Sequence, residues 1–406
     1  MTTVDNKGKM KKINLDTIVV MIANNIALPA ILNVKSDVFV FSLLMSDSYF
    51  DREKLIKDGV HRFVVTTEYL LISFSNQPGS TSIRLARSIL SQIDQLKDIN
   101  IDDTLTTDTS FTLIDSRSYH IALKISKHDN IAPYGTVYIS DSAGIRFAVG
   151  ISMNVNNDFG YSDFDTVAGM PTVYIANVYD AESFRLMRYR RQTIDQKTDG
   201  LTDRDLLIKT TRISYDRGVT WNPLGMVMNG RCQEKRETGC TLHLNSLSEV
   251  RSGQILSAKT SPGMLIATGN EGNYLGEKDN GTYISEDVGL TWRLLLPGDH
   301  VYDISDQGGL LVLVETGKAT NSIMFSWDKG TSFSKMQVSD RPFFATKVQT
   351  DKSNSGLVFI IHGVLDSEDH LGMIISLDFS RLMPRLCQVE GLADFDIWTP
   401  EFSGNR

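Results

Sequence analysis

Three octads in the chain hold a serine, an aspartate and a glycine at fixed spacing. Ser214 to Trp221, Ser285 to Trp292 and Ser326 to Phe333 all fit S-x-D-x-G-x-x-[WF]. A serine and a carboxylate two residues apart can serve a reaction as nucleophile and acid or base, or they can accept backbone amides inside a tight turn. The glycine favours the turn, because it supplies the positive φ that closes a hairpin. The aromatic residue then packs between neighbouring sheets. Ser214, Asp216, Gly218 and Trp221, Ser285, Asp287, Gly289 and Trp292, and Ser326, Asp328, Gly330 and Phe333 therefore read as structural. A worn copy at 140–147 ends on Phe147 and has Ser142 where the aspartate belongs. The leading serines Ser140, Ser214, Ser285 and Ser326 lie 74, 71 and 41 residues apart. That spacing implies a unit near 40 residues with insertions, as in four-stranded propeller blades.

Other groups with chemical potential are weaker. Propeller hydrolases of the sialidase type carry the same octads, known as Asp-boxes. Their chemistry needs three arginines on a carboxylate, a tyrosine–glutamate nucleophile pair and an acid/base aspartate converging from separate blades. Tyr189 and Arg190 are candidates without diagnostic spacing, and no Arg-Ile-Pro triplet occurs. None of the seven histidines forms H-E-x-x-H, and there is no G-x-S-x-G elbow, Walker loop or G-x-G-x-x-G. His243, between Leu242 and Leu244, reads as a structural histidine in a strand. Asp158, Asp163 and Asp165 crowd one segment but lack the glycine and distal glutamate of a calcium loop, so a solvated acidic loop is expected. No catalytic residue, metal or cofactor is expected. Asn280-Gly281-Thr282 is a glycosylation sequon, usable only in the secretory pathway.

The elements that must position these groups are strands. Short β-rich runs recur at 38–44, 63–75, 119–125, 136–140, 172–178, 310–315, 357–362 and 373–377, each bounded by turn residues. The fold class is all-β, a β-propeller with Asp-box repeats. Ile83, Ala86, Ile89, Leu90, Ile93 and Leu96 conflict with it by following helical spacing. With 406 residues, 41% of them hydrophobic, the chain can bury a sizeable core. Its net charge of -8 excludes sequence-independent binding to nucleic acid. The basic run from Arg185 to Arg191 is the local exception and reads as a solvated loop. The start, Met10 to Ala23, faintly imitates a signal peptide, but a strand is the better reading. No segment has the run of ~20 apolar residues that spans a bilayer. The chain is expected to be truncated, with any membrane contact made by segments it lacks. Cys232 and Cys240 enclose seven polar or small residues, a spacing that a disulfide could staple in an oxidising compartment. Two unpaired thiols are the alternative. Cys387 has no obvious partner.

In content and order these residues resemble the sortilin family of sorting receptors. The Cys232–Cys240 segment runs directly into Thr241-Leu242-His243-Leu244, then 265–270 (Leu-Ile-Ala-Thr-Gly-Asn) and the second full octad. Pro297-Gly298-Asp299-His300 and 306–312 follow. The phrasing at 161–170, at 173–177 and from Cys387 to Arg406 is closest to the SorLA (sortilin-related receptor) branch. The resemblance is strong from about 136 to 406, weaker from 45 to 135 and poor before that.

It implies a ten-bladed propeller with about six blades present over 1–386, and at 387–406 the start of a cysteine-rich module. It also implies a non-enzymatic luminal domain that carries peptide or secreted protein cargo between Golgi, endosomes and the cell surface. In the family an arginine of the tunnel wall pairs with a peptide's terminal carboxylate, a role suited to guanidinium geometry. The nearest match is Arg84, with Ser75 upstream and Phe111 on a later strand; Arg87 is the substitute. The insertion at 181–205 has no counterpart in the family.

Overall fold

The computed structural model describes the backbone of Thr2–Val4, Met10–Lys12, Ile18–Ile26 and Val38–Ser46, with side chains from residue 41. It then describes residues 51–382 apart from 52, 78–79, 107–108, 117–119, 128–130, 157–161, 194–206, 236–238, 246–254, 277–279, 352–353, 355 and 366–370; the side chains of 190–193 are also left out. Asp158, Cys387 and the whole of 387–406 lie outside the described residues.

Strands dominate, and nearly every pairing is an antiparallel step to the next strand in sequence. The chain divides into two compact units, Met1–Asp299 and His300–Arg406. In the first unit, Lys54–Val65, Tyr69–Phe74, Arg84–Ile89 and Lys97–Asp98 form one meander, flanked on the side of Lys54–Val65 by the paired strands Ile18–Ile26 and Val38–Ser46. A second meander holds Phe111–Asp115, Ala122–Lys127, Tyr134–Ser140 and Phe147–Val155. A third holds Phe164–Thr166, Tyr174–Tyr179, Lys209–Ser214 and Asn222–Pro223. The single pair Asn154↔Val178 joins the second and third into one sheet. The fourth holds Thr241–Leu244, Leu265–Gly272, Gly281–Ser285 and Thr291–Pro297. The second unit holds the four strands from His300–Ser305 to Ser334–Gln337, and a sheet of Phe344–Gln349, Val358–Val364 and Gly372–Asp378. These six meanders are the sheets of an all-β, propeller-type fold.

The helical spacing at 83–96 comes from burial on both faces of a strand. Arg84–Ile89 pairs with Tyr69–Phe74, and Leu85 and Ala86 enter different apolar clusters on opposite sides of the sheet. A strand covered on both faces loses its two-residue alternation and imitates a helix in sequence. Only Leu90–Gln92 coils, as one 3-10 turn. The expected strand at 119–125 is found at Ala122–Lys127.

The basic run is a helix, Ala181–Thr193, and not a loop. Asp180 Oδ1 accepts the Ser183 amide at 2.8 Å, which satisfies one of the free donors of the first turn. Phe184 is buried, with its ring centroid 5.3 Å from Tyr134 and 5.7 Å from Tyr179, and Arg188 lies over it. The arginine run hid that anchor. No helix among the described residues is long and apolar enough to cross a membrane.

The largest apolar cluster of the first unit surrounds Trp292 and includes Ile213, Leu242, Leu244, Leu265 and Tyr283. The second unit has its own core around Phe343, Phe359 and Phe379. Trp292 is 0% exposed and Leu290, two residues earlier, 58% exposed. Replacing Trp292 with alanine is expected to cost about 3–5 kcal/mol, and Leu290→Ala within about 0.5 kcal/mol. Chemical denaturation of the two variants checks the contrast.

Candidate functional site

Each full octad links the third strand of its meander to the fourth, and all three share one geometry. The serine hydroxyl donates to the aspartate, Ser214 to Asp216 and Ser285 to Asp287 at 2.8 Å, Ser326 to Asp328 at 2.7 Å. The same hydroxyl accepts the glycine amide at 2.7 Å in each case. Aspartate Oδ1 accepts the amide four residues on, from Thr220 and Thr291 at 2.8 Å and Ser332 at 2.9 Å. Oδ2 accepts the hydroxyl of that residue at 2.6 Å in all three. This hydroxyl, seventh in the octad, is a working part that sequence reading missed. Arg217 (φ 61°), Val288 (62°) and Lys329 (54°) share the left-handed backbone of the glycines that follow them. The turn thus needs two such residues in succession, a conformation that L side chains adopt sparingly.

Burial by itself would raise Asp216 and Asp287, but their hydrogen bonds from the threonine and serine outweigh it and hold both below the usual carboxylate range. Asp328 is lowered furthest, chiefly by Ser332. The aromatic residues complete the device. Trp221 Nε1 donates to Gly218 O at 3.0 Å and to Gly150 O of the preceding meander at 2.9 Å, and Trp292 Nε1 donates to Gly289 O at 3.1 Å.

The worn copy corrects the assignment of its acid. Asp141, not Ser142, supplies the carboxylate: its Oδ1 accepts the amides of Ile145 (3.0 Å) and Arg146 (3.4 Å). The acid has moved one residue toward Ser140 and kept its offset of four residues to an amide. A further acidic turn follows Gly372–Asp378, where Asp378 accepts the Ser380 amide at 2.9 Å.

Cys232 and Cys240 form a disulfide with Cα atoms 5.4 Å apart. It ties the short helix Arg231–Lys235 to the start of Thr241–Leu244, and the Cys232 amide donates to Glu271 at 3.0 Å. His243 sits inside that strand. Its Nδ1 accepts the Thr211 amide at 3.2 Å, and its Nε2 lies 3.2 Å from Gly272 O. An amide can only donate, so Nδ1 is unprotonated and the ring is neutral with its hydrogen on Nε2.

Arg84, Ser75 and Phe111 lie within the first two meanders, but no hydrogen bond or ion pair among the described residues joins them. Arg84 is half exposed and pairs with Asp98; Ser75 Oγ contacts His61 Nε2. Phe111 lines a small apolar recess with Val64, Leu85 and Leu123. Arg87 is buried, donates to Ala143 O and lies over the Tyr69 ring. Asn280 Nδ2 donates to Asp299 at 3.3 Å. Tyr189 is exposed on the helix, and the Arg190 side chain lies outside the described residues.

Asp163 is not solvated. Asp163 is 3% exposed, and both it and Asp165 have one carboxylate oxygen sealed from solvent without a hydrogen bond. The sequence shows only the local crowding of charge. The partners of Asp163 lie away from it in sequence: Asn154 Nδ2 donates to its carbonyl at 2.7 Å and Asn177 Nδ2 to its carboxylate at 3.3 Å.

A family model described as "Sortilin, neurotensin receptor 3" matches residues 16–348. The match begins well ahead of the region where motif resemblance is strong, and it stops before 387–406. Vacuolar protein sorting/targeting protein 10 of Debaryomyces hansenii is 26% identical over 374 residues, covering 88% of this chain and 22% of that protein. The protein of the same name from Chaetomium globosum is 27% identical over 387 residues, covering 88% and 23%. The chain thus spans less than a quarter of the length of the curated relatives it matches. Among solved structures, an α-L-arabinofuranosidase from Fusarium graminearum is similar at a TM-score of 0.31 and 10% identity, covering 80% of this chain and 94% of that one. A likeness so low carries no argument.

Asp287→Ala removes the acceptor of one amide and two hydroxyls and is expected to destabilise the first unit by about 1–3 kcal/mol, read from its denaturation midpoint. Opening the Cys232–Cys240 bond with Cys232→Ser and Cys240→Ser together should remove about 2–3 kcal/mol, read in the same assay against the oxidised protein.

Proposed function

Because the chain belongs to the Sortilin-Vps10 family, we propose that it is part of the luminal, cargo-binding region of a sorting receptor and catalyses no reaction. The reading is carried by how the octads spend their polar groups. In each, the serine hydroxyl and both carboxylate oxygens are committed to hydrogen bonds inside their own turn. An acid–base pair for glycoside hydrolysis needs a carboxyl free to exchange a proton with substrate, and lowered carboxylates held by several donors are poor general acids near neutrality. The relatives' shared name, a vacuolar sorting and targeting protein, supports the same reading.

On this proposal the cargo is a peptide or secreted protein met in the Golgi, in endosomes or at the cell surface, and the receptor is a single-pass membrane protein. Residues 387–406 open its cysteine-rich module, with Cys387 bonded to a cysteine of that module, and Asn280 carries a glycan. Arg84 is the residue offered to a cargo carboxylate. Its exposed ion pair with Asp98 is worth little in water, so a ligand carboxylate competes for it readily. Ser75 supplies a hydroxyl beside the strand pair Phe74↔Arg84, and the Phe111 recess takes an apolar side chain.

The test compares binding of peptides with free and with amidated C-termini to the immobilised chain. Free-carboxylate peptides should be retained, and Arg84→Ala should weaken them about tenfold or more, the worth of one charge-assisted hydrogen bond. Turnover of aryl glycosides, with no peptide retained, would reverse the proposal in favour of the hydrolase.

A further inference from the structure

A chain of buried polar side chains crosses the first unit from Lys124 to His243. Lys124 Nζ donates to Asn154 Oδ1 (2.6 Å), Val155 O (3.3 Å) and Asn156 Oδ1. Asn154 Nδ2 donates to Asp163 O (2.7 Å) and Asn177 O (2.9 Å), and its Oδ1 also accepts Ser162 Oγ (2.7 Å). Asn177 Nδ2 donates to Asp163 Oδ2 (3.3 Å) and Leu244 O (3.0 Å), while its Oδ1 accepts Thr211 Oγ1 (2.6 Å). Thr211 in turn accepts the Leu244 amide (2.8 Å) and donates its own amide to His243. Lys124, Asn154, Asn177, Thr211 and His243 are each no more than 2% exposed.

This network connects three successive meanders, and it is complete except at one place. Asp163, just before the strand Phe164–Thr166, and Asp165 within it each have one carboxylate oxygen, Oδ1 and Oδ2 respectively, sealed from water and unpaired. An orphaned buried carboxylate oxygen is costly unless a proton or a cation satisfies it. The charged group that bears on Asp165 is Asp163, just before its strand, and Asp163 also bears on Lys124. The neutral amides of Asn154 and Asn177 bond to Asp163. The next carboxylate, Asp115, accepts Tyr174 Oη at 3.1 Å.

We infer that Asp165, with Asp163 beside it, is a proton-uptake site that stabilises the first unit more as the surroundings acidify from neutral. Burial, and then the charge of Asp163, pushes Asp165 up to about 7. Burial pulls Lys124 down to about 7 against the opposing pull of Asp163. An unfolded aspartate titrates near 3.9, so between about pH 7 and 4 the folded chain binds a proton at Asp165 that the unfolded chain does not. Stability from this group is therefore full below about 4 and is lost as pH rises through 7. Lys124 is charged in both states below about 7 and adds no slope in that window. His61, lowered by burial, acts in the opposite sense. The octad aspartates, lowered in the fold, change only in stronger acid. A difference between wild type and an Asp165 variant isolates the site.

The experiment is thermal unfolding of the oxidised chain from pH 7.5 to 5.0, with EDTA and with calcium chloride, for wild type and Asp165→Asn. Asparagine mimics the protonated acid. The variant should melt several degrees above wild type at pH 7.5, and the difference should narrow steadily down to pH 5. A constant difference across the range overturns the inference. So does stabilisation of wild type by calcium with no pH-dependent difference in EDTA, which would assign the orphaned oxygens to a cation. If Asp165→Asn does not fold, infrared spectroscopy of wild type decides. A protonated-carboxyl stretch that grows between pH 8 and 6 supports the site, and its absence at pH 6 refutes it.

Discussion

A carboxylate that gathers one amide and two hydroxyls at a solvent-facing turn is the constraint on which the rest of this fold depends. In each full octad the aspartate ties the end of the third strand to the start of the fourth, and the serine folds the intervening residues back onto it. The two left-handed residues at the tip leave one path for the chain. That path delivers an indole to a fixed place. Trp292 reaches the centre of the largest apolar cluster, and Trp221 reaches back to Gly150 on the neighbouring meander. The carboxylate stays near water, so the turn gains charge-assisted hydrogen bonds without the desolvation that penalises a buried ion.

Between the meanders the polar logic is different. The asparagine–threonine–histidine chain from Lys124 to His243 lies in the interior, where each unmet donor or acceptor would be expensive. It meets nearly all of them with side-chain amides, which offer two donors and an acceptor in one plane and can bridge two strands at once. Asn154 and Asn177 do so, each joining its own strand to the backbone of another. Apolar contact aligns the sheets, and these amides fix their register.

The octads and the strand runs were legible in sequence because their causes are local: a turn needs particular residues at particular offsets. The cysteine pair was legible for the same reason, since its short loop brings the two Cα atoms within bonding reach. Features that depend on distant partners were not legible. The acid at 163 looks like part of a wet loop until Asn154 and Asn177 are brought against it. The 83–96 stretch looks helical because both faces of its strand are covered. The arginines after Ala181 mask Phe184, which with Met187 packs their helix into an apolar cluster. Of the binding residues suggested by resemblance, Arg84 and Ser75 each have a partner nearby in the fold, and nothing local in the sequence indicates what cargo would displace it.

Hydrogen exchange at the amides of Gly218, Gly289 and Gly330 tests the central claim most directly, since each donates to an octad serine. Turns that act as structural corners should hold these protons as long as the buried strands around them, opening only when their unit unfolds. Rapid exchange at all three while Leu265–Gly272 stays protected would mean that the octads are surface ornaments, and that something else holds the sheets.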